Sequence, residues 1–200
     1  MIQFRDGFYA DVRTEDRSRT TITYKSGALE EMKTRVERRA FIRVYDGKMW
    51  YYSSVTDLAH LQKTLDGLYD AATPNADIQN DPVVRRFERN RDTLLSFADS
   101  SVRDIPSKDK QALLLSYLPL LSEDSCITMP RGTYLDRNSL FRFRSSLGAD
   151  ITYDYQTCGL SFSCDMTEGE KKFSGHWQKG ATRFDELKGL DDEIRAAMAE

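Results

Sequence analysis

Phe41-Ile42-Arg43-Val44-Tyr45-Asp46-Gly47-Lys48-Met49-Trp50-Tyr51-Tyr52 reads as two β-strands joined by a tight turn. The residues before Asp46-Gly47 alternate with the period of two that a half-buried strand requires, and Asp-Gly tolerates the positive φ of a type I′ hairpin turn. A two-residue turn would set Tyr45 opposite Lys48, Val44 opposite Met49, Arg43 opposite Trp50, Ile42 opposite Tyr51 and Phe41 opposite Tyr52. One face of the hairpin then carries Ile42, Val44, Met49 and Tyr51, an ordinary core set. The other carries Phe41, Arg43, Tyr45, Trp50 and Tyr52, with Arg43 over Trp50 in a cation–π contact worth about 0.5–1 kcal/mol if exposed. This second face is expected to be covered by the following helix or a neighbouring unit. The alternative is a substrate or partner surface, where aromatics and Arg are enriched.

Working outward, Phe8, Ala10 and Val12 alternate with polar neighbours, and Thr20, Ile22 and Tyr24 resume that period after the polar stretch 15–19. Ser26-Gly27 marks a turn into a long strand, roughly 29–45, so the first region is a β-meander. Thr56 or Asp57 can cap a helix to Ala72 with Leu58, Leu61, Leu65, Leu68 and Tyr69 as its apolar stripe. Residues 73–82, with Pro74, Asn75, Asn80 and Pro82, have no periodicity and read as a linker. A helix is expected over 83–98, and a clearer one opens at Pro106-Ser107, with Pro119 expected to kink or terminate it. Period two then returns in about five short strands, at Ile127 and Met129, 140–144, Ile151 and Tyr153, 160–166 and 173–178. Phe184, Leu187, Leu190, Ile194 and Met198 sit at helical spacing in a charged segment that runs to the last residue, so either the chain is cut here or the helix is expected to lead into something else.

The fold class expected is therefore α+β: an antiparallel β-meander with a packed helix, followed by helices and a second, mostly antiparallel sheet. The corresponding division is 1–73, a 74–106 connection, and 107–200.

Composition excludes several classes of function. With 29 Lys and Arg against 32 Asp and Glu, the net charge of −3 offers no global attraction to phosphate backbones. The basic runs 35–39 and 85–91 are interrupted by glutamates and read as solvated faces rather than a nucleic-acid footprint. No apolar run approaches the roughly 20 residues of a membrane span, and residues 1–10 show no targeting pattern, so a cytoplasmic chain is expected. Three cysteines, Cys126, Cys158 and Cys164, fit free thiols in a reducing compartment, with Cys158 and Cys164 on one face of one strand as small buried hydrophobes.

The residues for chemistry are sparse. The two histidines, His60 and His176, have no obvious partner, and no phosphate loop, nucleophile elbow or paired-histidine helix is present. Asp191-Asp192-Glu193 reads as a first turn or exposed face of the last helix. No catalytic residue and no metal ligand is assigned.

Tyr9-Ala10-Asp11-Val12-Arg13, then Lys25-Ser26-Gly27-Ala28-Leu29-Glu30-Glu31, then Val44-Tyr45-Asp46-Gly47-Lys48-Met49-Trp50 resemble the opening of the TldD/PmbA proteins, metallopeptidases once described as modulators of DNA gyrase. Pro106 to Leu114, and Arg144-Ser145-Ser146-Leu147-Gly148 followed by 151–166, resemble the family's middle region. The helix that usually precedes the first strand in the family is short or missing here. The resemblance implies a zinc-dependent hydrolase for proteolysis of unstructured peptides, its zinc held by a His-Glu-x-x-x-His helix and a later cysteine in a C-terminal domain; nothing in this sequence matches those ligands. It further implies an N-terminal portion that shapes substrate access and contributes contacts in a homo- or heterodimer with a family member. Two other readings stay open: a short relative acting as a self-contained protein–protein binding module, and a gyrase- or DNA-associated modulator.

Overall fold

The computed structural model describes residues 2–123 and 127–198, with only the backbone of Glu168. Cys126 and the expected end of the last helix at 199–200 lie outside the described residues. Seven strands form: β1 Tyr9–Lys25, β2 Ala28–Tyr45, β3 Trp50–Val55, β4 Arg91–Leu94, β5 Ile127–Ser145, β6 Asp150–Glu168 and β7 Lys171–Ala181. Three α-helices accompany them among the described residues: α1 Leu61–Ala71, α2 Ser107–Tyr117 and α3 Asp191–Met198. The fold is α+β. The strands hydrogen-bond in the order β3-β2-β1-β5-β6-β4 with β7 also on β6, so the expected second sheet is part of one seven-stranded sheet. β2 with β3 and β6 with β7 pair antiparallel, and β4 runs parallel to β6.

Where five short strands were expected after residue 124, three long ones form, and the two pieces expected before Ser26 are one strand. The reason lies in buried polar residues. Glu15, Ser18, Thr20, Asp136, Asn138, Ser139 and Gln156 interrupt the apolar alternation yet are buried within strands. Their polar atoms are satisfied there, which is what allows the ladder to continue. Ser139 Oγ donates to Glu15 Oε1 at 2.8 Å, and Gln156 Nε2 donates to the carbonyls of Ser100 and Thr182 at 2.9 and 2.8 Å.

The helix expected over 83–98 is also corrected. A 3-10 turn spans Val84–Arg86, and Arg91–Leu94 then lies parallel to Asp150–Tyr153 as β4. Val84 is buried and Phe87 half-buried, but the following residues offer no stripe of period 3.6 to bury, so their backbone groups pair with the edge of β6 instead. The single helix expected through 184–198 is broken as well: Phe184–Leu187 is a 3-10 turn, Gly189 takes φ +70°, and α3 starts only at Asp191. All four leading apolar positions, Phe184, Leu187, Leu190 and Ile194, are nevertheless buried.

Two compact units result, and neither is a contiguous stretch. The first comprises 1–17, 36–96 and 139–155; the second comprises 18–35, 97–138 and 156–200. β1, β2, β5 and β6 each pass through both, unlike the chain-order division at 73 and 106.

In the first unit, Phe8, Ala10, Val12, Ala40, Ile42 and Val44 pack against Leu61, Leu65 and Tyr69 of α1. The i, i+4, i+8 spacing of these three places them on one side of the helix. Asp57 starts the preceding 3-10 turn by accepting from Ala59 N at 2.9 Å. Tyr9, whose side chain points to the other face of β1, packs with Tyr45, Ile78 and Val84.

In the second unit, Ile22, Tyr134, Leu160, Phe162 and Trp177 pack against Leu114 and Tyr117 of α2 and Ile194 of α3. A buried ion pair crosses this core. Lys110 on α2 binds Asp136 on β5, and Asp136 also accepts from Thr20 N at 3.0 Å and from the Tyr134 hydroxyl at 2.9 Å. With three partners on its carboxylate the pair is satisfied, and deleting either charge would strand the other at a cost of about 3–5 kcal/mol.

Candidate partner surface on the second hairpin

The β2–β3 hairpin holds all five residues singled out from the sequence, and its register differs from the expected one. Tyr45 lies opposite Trp50, Val44 opposite Tyr51, Arg43 opposite Tyr52, Ile42 opposite Ser53 and Phe41 opposite Ser54. The connection has four residues, 46–49, not two. A type I′ turn on Asp46-Gly47 needs positive φ at both, and only Gly47 has it, at +96°. Asp46 instead folds its carboxylate over the turn: Oδ1 accepts from Lys48 N and Met49 N, each at 2.8 Å, and Oδ2 from the Tyr51 hydroxyl at 3.2 Å and Thr73 N at 3.4 Å. A shift of two residues keeps the paired side chains on their faces, but Met49, expected in the core set, falls in the turn and is 61% exposed. Phe41, Arg43, Tyr45, Trp50 and Tyr52 therefore do share one side of the hairpin.

That side is divided by what covers it. Tyr45 is buried and stacks on half-buried Trp50 at 4.8 Å between ring centroids. Phe87 reaches in to stack on Tyr9 at 4.5 Å and meets Trp50 edge-on at 6.2 Å. The segment carrying Ile78, Val84 and Phe87 thus supplies the cover. Part of it is the stretch that reads as linker, because Pro and Asn mark turns but conceal the two or three apolar anchors between them. Arg43 lies 4.8 Å from the Trp50 ring centroid and grips buried Asp11 with two nitrogens, Nη2 to Oδ2 at 2.7 Å and Nε to Oδ1 at 3.1 Å. Phe41 and Tyr52 remain outside this cover, 44% and 69% exposed, with their rings 6.2 Å apart.

Electrostatics fixes the hairpin rather than activating any group on it. Burial alone would push the Asp46 carboxyl up, but the N–H groups of Met49, Lys48 and Thr73 and the Tyr51 hydroxyl outweigh it and hold the carboxyl below its ordinary value. Burial, then the charge of Asp11, pushes the Tyr9 hydroxyl up, so it stays neutral. The sequence reading missed Asp11, Asp46 and Phe87 as supports; the Asp-x-x-Met spacing of the turn is the one signal that could have found Asp46.

Elsewhere the chemistry-bearing residues stay apart. His60 is exposed, 3.6 Å from Asp57, and His176 is an exposed residue of β7 opposite Ser163. Cys158 and Cys164 are free and buried. Burial, then the charges of Asp136 and Glu186, pushes the Cys158 thiol up to about 12, which removes it as a nucleophile at neutral pH. Among the described residues no group of three or more His, Cys, Asp or Glu is placed to hold a metal ion.

Residues 10–72 match the family model for PmbA/TldA metallopeptidase domain 1. No curated protein matches the chain. Among solved structures, a proposed modulator of a DNA gyrase from Thermotoga maritima aligns with a TM-score of 0.75 at 16% identity, over 97% of this chain and 44% of its own. A proposed modulator of DNA gyrase from Bacteroides thetaiotaomicron gives 0.73 at 16% identity, over 95% and 45%. TldE from Thermococcus kodakarensis gives 0.69 at 9% identity, over 96% and 43%. Likeness at such identities establishes the fold, and the chain spans less than half the length of each of these structures.

Proposed function

We propose, from the match of residues 10–72 to the model for PmbA/TldA metallopeptidase domain 1, that this chain is the non-catalytic N-terminal portion of a cytoplasmic zinc metallopeptidase that acts on unstructured peptides. In this reading it shapes access to the site and contributes contacts to a homo- or heterodimer. The family match, together with a shared fold over nearly the whole chain, is the observation that carries it. Among the described residues no group of three or more His, Cys, Asp or Glu is placed to hold a metal ion; in this reading the zinc would be held outside this chain, and no step of hydrolysis is assigned to a residue here.

An exposed strand edge supports the access role. β3 pairs with β2 only from Ala40 to Tyr45, and every side chain of β2 from Ala28 to Arg39 is exposed. An extended peptide could pair with such an edge through main-chain hydrogen bonds, which need no particular side-chain sequence. Lys33, Arg35, Arg38 and Arg39 on the same stretch would at the same time discourage indiscriminate edge pairing. Titration of a labelled random-coil peptide against the purified chain tests the reading. Binding that is insensitive to scrambling the peptide is expected; no binding up to millimolar peptide would reduce the chain to an architectural role.

The exposed pair Phe41 and Tyr52 favours a second reading, a protein–protein binding module. In the first reading the same pair serves as a dimer contact.

A further inference from the structure

The second unit contains a groove of about 950 Å³ between the segment 98–106, one side of α2 from Asp109 to Tyr117 and the segment 183–191. Its floor is apolar, with Ile105, Leu113, Tyr117 and Phe184. The floor is also firm: the Tyr117 hydroxyl donates to Leu187 O at 2.9 Å and accepts from Leu190 N at 3.3 Å, fastening α2 to the chain that leads into α3. The rim is acidic, with five aspartates against Arg183 and Lys188.

Both cations are already engaged. Lys188 pairs with Asp185 at 2.5 Å and lies 5.6 Å from the Phe184 ring centroid, while Arg183 lies 6.0 Å from that of Phe97. Asp109 and Asp191 occupy the first turns of α2 and α3, where the helix dipole favours an acid. Neither Asp99 nor Asp104 has that role, and neither forms an ion pair among the described residues. The acidity is local, since the whole chain holds 32 acids against 29 bases. The carboxylates are also dispersed: no three are placed to share one metal ion. An apolar floor with separated negative charges along its rim suits an elongated cationic ligand whose side chains have aliphatic stems.

We propose that this groove binds an extended basic peptide segment, the stems of its Arg or Lys side chains lying on Leu113 and Phe184 and their charged ends meeting Asp99, Asp104 and Asp109. The inference rests on the groove alone and does not require the peptidase reading.

Fluorescence anisotropy on the full chain tests it, with a labelled 12-residue peptide alternating Arg and Leu, and matched peptides carrying Gln or Glu in place of Arg. The Arg peptide is expected to bind about tenfold more tightly than the Gln peptide, and the Glu peptide more weakly than either. That preference should disappear in Asp99→Asn/Asp104→Asn/Asp109→Asn and fade with added salt. Since Asp109 also supports α2, the double variant Asp99→Asn/Asp104→Asn repeats the measurement with that turn intact. Glu170→Gln, a distant exposed acid, should leave it unchanged. Equal affinity for the Arg and Gln peptides, or as large a loss in Glu170→Gln as in the double variant, would overturn the proposal.

Discussion

Asp46 receives hydrogen bonds from three main-chain N–H groups and one hydroxyl, and these converge on a carboxylate that burial would otherwise destabilise. Its carboxyl is held below its ordinary value in the folded chain. Its contribution is therefore complete above the unfolded value of about 4 and is lost as pH falls through the lower folded value. Asp46→Asn keeps the shape but presents an NH₂ where only acceptors fit. The variant should lose about 1–3 kcal/mol at pH 7 by urea unfolding, and the gap to the parent should narrow as pH falls below 4. A gap of constant size from pH 7 to pH 3 would assign the loss to packing instead. The same residue marks a limit of sequence reading. Asp-Gly marks a turn at the right place, but two of the partners of its carboxylate, the Tyr51 hydroxyl and Thr73 N, lie outside the turn, and Thr73 is far away in sequence.

Among elements, the hairpin faces were legible and the strand lengths were not. Alternation in 41–45 and 50–52 marks which strand side chains lie together, because the even shift of two that separates the expected register from the observed one conserves the face. The cap at Asp57 and the stripe of α1 follow from local chemistry and form as expected, whereas α2 ends at Tyr117 and a 3-10 turn, Leu118–Ser122, carries the chain through Pro119. β1, β5 and β6 were seen as fragments because their middles carry Glu15, Asp136 and Gln156, whose hydrogen-bond partners are remote in sequence. Cover for the aromatic side came from Ile78, Val84 and Phe87, between loop markers. The division of that side has a measurable consequence. Trp50→Ala removes a ring packed against Tyr45, Tyr9 and Phe87 and should cost roughly 3 kcal/mol of stability. Tyr52→Ala and Phe41→Ala should stay within about 0.5 kcal/mol of the parent while weakening any self-association seen by sedimentation. Equal destabilisation by all three would mean that the whole side is core, with no surface left for a partner.

Across the whole molecule, the chain shares its fold with proteins more than twice its length, and its described residues hold polar networks, a covered aromatic side and an acidic groove but no metal cluster. No helix among them is long and apolar enough to cross a membrane. The two discontinuous units could not be read from the sequence, since nothing local marks a strand that serves two cores. The central claim is that this chain supplies shape and contact surface for a reaction performed elsewhere. The most direct measurement is the zinc content of the purified chain after equilibration with excess zinc and removal of free ion, taken with its turnover of a fluorogenic unstructured peptide. Well under one zinc per chain and no cleavage are predicted; one tightly held zinc per chain, or cleavage by the chain unaided, would contradict the account.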